Sequence, residues 1–63
     1  GEINISSLTS IDKVTITNTL GQIIYGTASK ETNLSIQITE AGIYFIQIKL
    51  PDISITKKII VIN

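Results

Sequence analysis

Apolar and polar residues alternate with a period of two along most of the chain, the mark of strands with one buried face. Ile3 and Ile5 flank Asn4, and Val14 and Ile16 alternate with Thr15 and Thr17. Leu34, Ile36 and Ile38 alternate with Ser35 and Gln37. Tyr44, Ile46 and Ile48 alternate with Phe45, Gln47 and Lys49, and Ile53 and Ile55 bracket Ser54. No stretch carries a 3.6-residue apolar stripe long enough for a helix. Turn chemistry falls between these runs. Residues 18–22 read as a hairpin turn in which Gly21 supplies a positive φ. Residues 26–32 read as a polar loop, and residues 39–42 as a tight connection. In residues 50–53, Pro51 takes the position that favours φ near −65°. Six or seven short strands at this spacing predict an all-β sandwich or barrel.

The last run departs from the pattern. With Pro51 and Asp52 at the centre of a turn, Leu50 faces Ile53 and Ile48 faces Ile55, but Ile46 then faces Lys57. Beyond it, Ile59, Ile60, Val61 and Ile62 are apolar on both faces. This predicts a bulge or bend near residues 56–58, where the strand shifts its inward face or passes to the other sheet. It also predicts a final strand that is central or covered. On the preceding strand, Tyr44 shares a face with Ile46 and Ile48 and is expected in the core. Phe45 shares the opposite face with Gln47 and Lys49 and is expected at the surface.

Composition narrows the chemistry. The chain has 63 residues, 43% of them hydrophobic and 16% charged, with a formal net charge of zero. One domain fits this length. A core this small must be dense, because disulfides are not available. Sixteen isoleucines supply the apolar mass. The domain is expected to be marginal unless most of them are inside, or unless a neighbouring domain or second copy adds stability. With no Cys and no His, thiolate chemistry, Ser-His and Cys-His catalysis and ordinary zinc or copper sites are excluded within this chain. Neutral charge without any Arg argues against nucleic-acid binding. The longest apolar runs, residues 43–46 and 59–62, are far short of the roughly 18 residues of a membrane-spanning helix. Gly1 at the first position leads us to expect a domain excised from a larger protein.

The remaining candidates for chemistry are weak. Ser54 with Lys57 or Lys58 is a formal Ser-Lys pair, but no oxyanion-hole motif accompanies it, and a solvent-facing strand hydroxyl is the better reading. Glu2, Asp12, Glu31, Glu40 and Asp52 stand singly, without the spacing of a calcium loop. Asn4-Ile5-Ser6 and Asn33-Leu34-Ser35 match the N-glycosylation pattern, as chance allows in a chain rich in Ser and Thr. Lys57 and Lys58 precede an aggregation-prone tail. They read either as gatekeepers against strand pairing or as part of a recognition element.

Four segments in order resemble one family. Gly1-Glu2-Ile3-Asn4-Ile5 looks like its opening strand, although the family's preceding Asn-Pro is missing. Val14-Thr15-Ile16-Thr17-Asn18 followed by Leu20-Gly21-Gln22-Ile23-Ile24-Tyr25 is similar to its strand, Asn, Gly-Gln, strand unit. Ala41-Gly42-Ile43-Tyr44-Phe45-Ile46-Gln47-Ile48 resembles its Gly-hydrophobic-Tyr strand. Thr56-Lys57-Lys58-Ile59-Ile60-Val61 resembles its terminal Lys-rich strand. The family is the C-terminal sorting domain of cargo proteins of the type IX (Por) secretion system of Bacteroidota. The resemblance implies an immunoglobulin-like β-sandwich of about six to seven strands, without catalysis and without a cofactor. It implies a domain at the end of a larger cargo that passes through the periplasm and directs transfer across the outer membrane to the cell surface or beyond. The implied partners are the outer-membrane translocon, a sortase-like peptidase that removes the domain, and the protein's own N-terminal cargo. The expected recognition surface is Lys57, Lys58, Ile59, Ile60 and Val61, on through Asn63, read by strand addition. Gly21, Gly42 and Tyr44 are expected to define the fold. Weak homodimerisation through an edge strand is a further expectation. The alternatives are an adhesion or carbohydrate-binding module, which would need an aromatic face or calcium-binding acids, and a structural spacer.

Overall fold

The computed structural model describes residues 1–28 and 30–62. Among them are six strands and no helix: β1 (Glu2–Ser6), β2 (Lys13–Asn18), β3 (Ile23–Ala28), β4 (Asn33–Gln37), β5 (Gly42–Lys49) and β6 (Ser54–Val61). They form two antiparallel sheets, β1-β4 and β3-β2-β5-β6. The abundance of β-branched residues explains the choice, since Ile, Val and Thr lose χ1 freedom in helices and pack well on a pleated surface. Residues 26–28, expected in a loop, instead continue β3, with Gly26 opposite Thr15 and Ala28 opposite Lys13. Small residues on an edge strand satisfy the ladder without offering the alternation by which a strand is read.

The chain crosses between the sheets three times, after β1, after β3 and after β4. The buried cluster lies between the sheets. It comprises Ile11, Val14 and Ile16 around β2, Ile36 and Ile38 from β4 and its end, Tyr44 and Ile46 from β5, and Val61 from β6. Ile3, Ile5, Tyr25, Leu34, Ile48, Leu50 and Ile59 pack around it. Ile11 is fully buried, and its N–H donates to the Glu31 carbonyl at 2.9 Å while the Asp12 N–H donates to that of Lys49 at 2.8 Å. The first crossover is thereby tied to the β3–β4 connection and to the end of β5. The isoleucines divide: five are buried, but Ile23, Ile24, Ile43, Ile53, Ile60 and Ile62 are exposed. Most of them are thus not fully inside, because a two-stranded sheet cannot cover a four-stranded one, and this is the condition under which the sequence leads us to expect a marginal domain.

Two turns hold the register. Asn18 organises the β2–β3 turn: its Oδ1 accepts from the N–H of Leu20 and of Gln22, both at 3.0 Å. Its Nδ2 donates to Gln22 Oε1 at 2.9 Å. Gly21 sits at φ 82°, a conformation that costs an L-residue roughly 1–2 kcal/mol. In the β5–β6 turn the Leu50 N–H donates to Ile53 O at 2.8 Å, with Pro51 and Asp52 at its centre.

Candidate functional site

The β5–β6 ladder runs without interruption from Lys49↔Ser54 to Gly42↔Val61. Ile46 faces Lys57 in this ladder, so the expected bulge at residues 56–58 is absent. The physical reason is the place of β6 in the sheet. It is an edge strand, neither central nor covered, so an inward-facing lysine can run its methylene stem along the apolar face and carry its ammonium to open solvent at the rim. The irregularity in the sheet lies elsewhere, at Ile16/Thr17 against β3, where Ile16 pairs with Tyr25 and Thr17 with Ile23. Ile24 is the extra residue, and three consecutive apolar residues at 23–25 are the signal for it that strict alternation overlooks.

The inward row of β6 is Ile55, Lys57, Ile59 and Val61, which pair with Ile48, Ile46, Tyr44 and Gly42. Val61 is buried, Ile55 and Ile59 are half-buried and Lys57 is exposed. The outward row is Ser54, Thr56, Lys58 and Ile60, all exposed. An open groove of about 450 Å³ lies between the β6 edge and β1, lined by Ile3, Ile5, Ile48, Ile55, Lys57 and Ile59 among others. Asn63 lies outside the described residues.

Charge is unevenly placed on this neutral chain. Strands β2, β3, β5 and β6 hold Lys13, Lys49, Lys57 and Lys58 and no acid. The acids stand on β1 and in connections. Among the described residues the ion pair is Lys30 Nζ to Asp12 Oδ1 at 2.9 Å, and neither Lys57 nor Lys58 has an acidic partner.

The other candidates separate in space. Ser54 and Lys57 point to opposite faces of β6, and Ser54 and Lys58 stand four residues apart, about 13 Å along a strand. Neither pair can work as nucleophile and base. Asn4 and Ser35 of the two glycosylation patterns face each other across β1 and β4, the Ser35 hydroxyl donating to Asn4 Oδ1 at 2.5 Å. Tyr44 is buried and donates its hydroxyl to the Glu40 carbonyl at 2.8 Å, tying the β4–β5 connection to the core. A Cβ on Gly42 would lie 3.6 Å from Tyr44 Cε2, so the glycine forms the floor under that ring. Phe45 is 39% exposed on the outward face, opposite Lys58.

The fold defines a small domain of two antiparallel β-sheets that ends on a regular eight-residue edge strand. The chain belongs to the family of secretion system C-terminal sorting domains, which it matches over residues 1–62. No curated protein and no solved structure matches it. Membership makes it a sorting signal of the type IX system, which engages that machinery and is exported toward the cell surface or the medium. The family points to a role without catalysis. Among the described residues no helix is long and apolar enough to cross a membrane.

Proposed function

We propose that this domain is the C-terminal address of a larger cargo protein, read in its folded state in the periplasm through the edge of β6. Lys57, Lys58, Ile59, Ile60 and Val61 form the surface that the translocon touches. A sortase-like peptidase at the cell surface then cuts upstream of the sandwich, so the domain is a substrate and does no chemistry itself. Gly21, Gly42 and Tyr44 serve the fold, through the turn and the Tyr44 contacts, rather than the contact with the receptor.

The observation that carries this reading is an eight-residue strand with no neighbour on one side. On such an edge alternate N–H and C=O groups point outward, ready for strand addition, in which the backbone gives affinity and alternate side chains give specificity. The test is to fuse residues 1–63 behind a periplasmic fluorescent reporter in a host that has the pathway. Translocon-dependent export is expected for the wild-type sequence, and its loss is expected with Lys57→Ala and Lys58→Ala together. Undiminished export of that variant, with a native circular dichroism spectrum, removes the two lysines from the signal.

A further inference from the structure

We infer that the β6 edge is built for one kind of partner, an extended acidic segment whose residues run apolar, acid, acid, polar, apolar. The inference deepens the sorting reading and rests on it for the identity of the site, but the chemistry follows from the register.

A strand added antiparallel to β6 places one residue directly opposite each of its own, on the same face. Opposite Ile59 and Ile55 the incoming side chains enter the groove under β1, where Ile3 and Ile5 wait, and must be apolar. Opposite Lys57 the incoming side chain meets an ammonium at the rim of that groove. Opposite Lys58 it meets a second ammonium on the outward face, beside Phe45. Among the described residues neither lysine meets an acid, and no acid stands on the four strands of the sheet. Two adjacent acids on the incoming strand answer one lysine on each face. A basic or purely apolar strand leaves both unanswered, and covering the rim with it removes water from Lys57 at a cost.

The same geometry disfavours a second copy of the chain as the occupant. A symmetric antiparallel pair of β6 strands must match residues of equal parity. The two registers that pair most of the strand place either Lys57 opposite the Lys57 of the second copy, or Lys58 opposite the Lys58 of the second copy. Like charges directly opposed across a ladder are destabilising. The lysine pair therefore rejects self-pairing and selects a partner of opposite sign.

The probes are three blocked heptapeptides titrated into the isotopically labelled chain and followed by amide chemical shifts. The first is Thr-Val-Glu-Glu-Thr-Val-Thr. The second carries Lys at both Glu positions, and the third has the first peptide's composition reordered as Thr-Glu-Val-Thr-Val-Glu-Thr. The first is expected to bind at millimolar concentration about tenfold more tightly than either other, with shifts centred on β6 and β1. With Lys57→Gln and Lys58→Gln together, its advantage over the Lys peptide is expected to shrink to about twofold. Equal affinity for all three, shifts centred on β3, or no binding of any peptide overturns the inference. Paired with reporter export, the outcomes separate. Without peptide discrimination but with export lost in the Lys→Ala variant, the acidic partner fails and the sorting surface stands. With discrimination but undiminished export, the edge takes acidic strands and the sorting receptor binds elsewhere.

Discussion

Strands β3 and β6 flank the same sheet, and each has a row of backbone groups with no neighbour beyond it, yet they are protected in different ways. The β3 edge is six residues long, carries an extra residue at Ile24 that breaks the ladder with β2, and includes Gly26. A bulge twists an edge away and leaves an incoming strand no continuous register. The β6 edge is eight residues long and pairs regularly with β5 over its whole length. Its protection is charge, one lysine inward and one outward. Distortion excludes every partner alike, whereas charge excludes some and admits others. Of two edges in one sheet, only the one guarded by charge is suited to recognition.

Both edges hang on one seam, the β2–β5 pairing, and breaking it should produce the largest effect. Ile16 and Ile46 face each other at the centre of the sheet, 0% and 2% exposed. Ile16→Ala is expected to cost about 2–5 kcal/mol, comparable with the whole stability of a domain of this size. Far-ultraviolet circular dichroism and urea titration should find the variant largely unfolded at 25 °C. If β6 amides remained protected in hydrogen exchange while β3 amides did not, the two edges would be separate units and the comparison would lose its common reference.

The next effect lies at the turn that sets the β3 distortion. Gly21→Ala forces a Cβ into φ 82° and is expected to cost about 1–2 kcal/mol, read as a shift in the urea midpoint. Nothing stands within 4 Å of the added atom, so the cost is one of backbone and not of space. A neutral result would mean that the turn, and the irregularity beside it, can rearrange freely.

Removing the charge from β6 should convert protection into self-association. Lys57→Thr with Lys58→Thr relieves the like-charge contact in either symmetric register, worth up to about 1 kcal/mol, or roughly fivefold in the dimerisation constant. Sedimentation equilibrium would show it. Ala28→Val adds β-propensity to the other edge and should leave association unchanged. If Ala28→Val dimerised as readily, distortion would not be what guards β3.

These contrasts explain which parts of the chain could be read from its sequence. Every strand with alternating residues was visible, because alternation reports one buried face whatever the neighbour. The Asn18 turn, with Gly21 at positive φ, and the Pro51 turn were visible because their chemistry is local. The family likeness was legible for the same reason, since its motifs are turns and strand patterns. What was hidden depends on which strand lies beside which. Lys57 opposite Ile46 reads as a fault if β6 is covered and as ordinary if β6 is an edge, and only the tertiary arrangement decides. The pairing of β1 with β4, 26 residues of chain after β1 ends, leaves no local mark. The β3 end was misread because Gly26, Thr27 and Ala28 have the composition of a loop, although an edge strand tolerates them.

The smallest effect concerns how the chain leaves β3. Lys30, just beyond the strand, reaches back to Asp12 at 2.9 Å, beside the start of β2. With Lys30 82% exposed and Asp12 27% exposed, the pair is solvated and screened, and Asp12→Asn is expected to cost no more than about 0.5 kcal/mol. For a domain of this length that is a fall of roughly 2–4 °C in Tm, smaller still in high salt. Differential scanning calorimetry at two salt concentrations measures it. A loss several times larger would mean that β3 too is held in place by charge, and would erase the distinction between an edge shaped by its backbone and an edge shaped by its lysines.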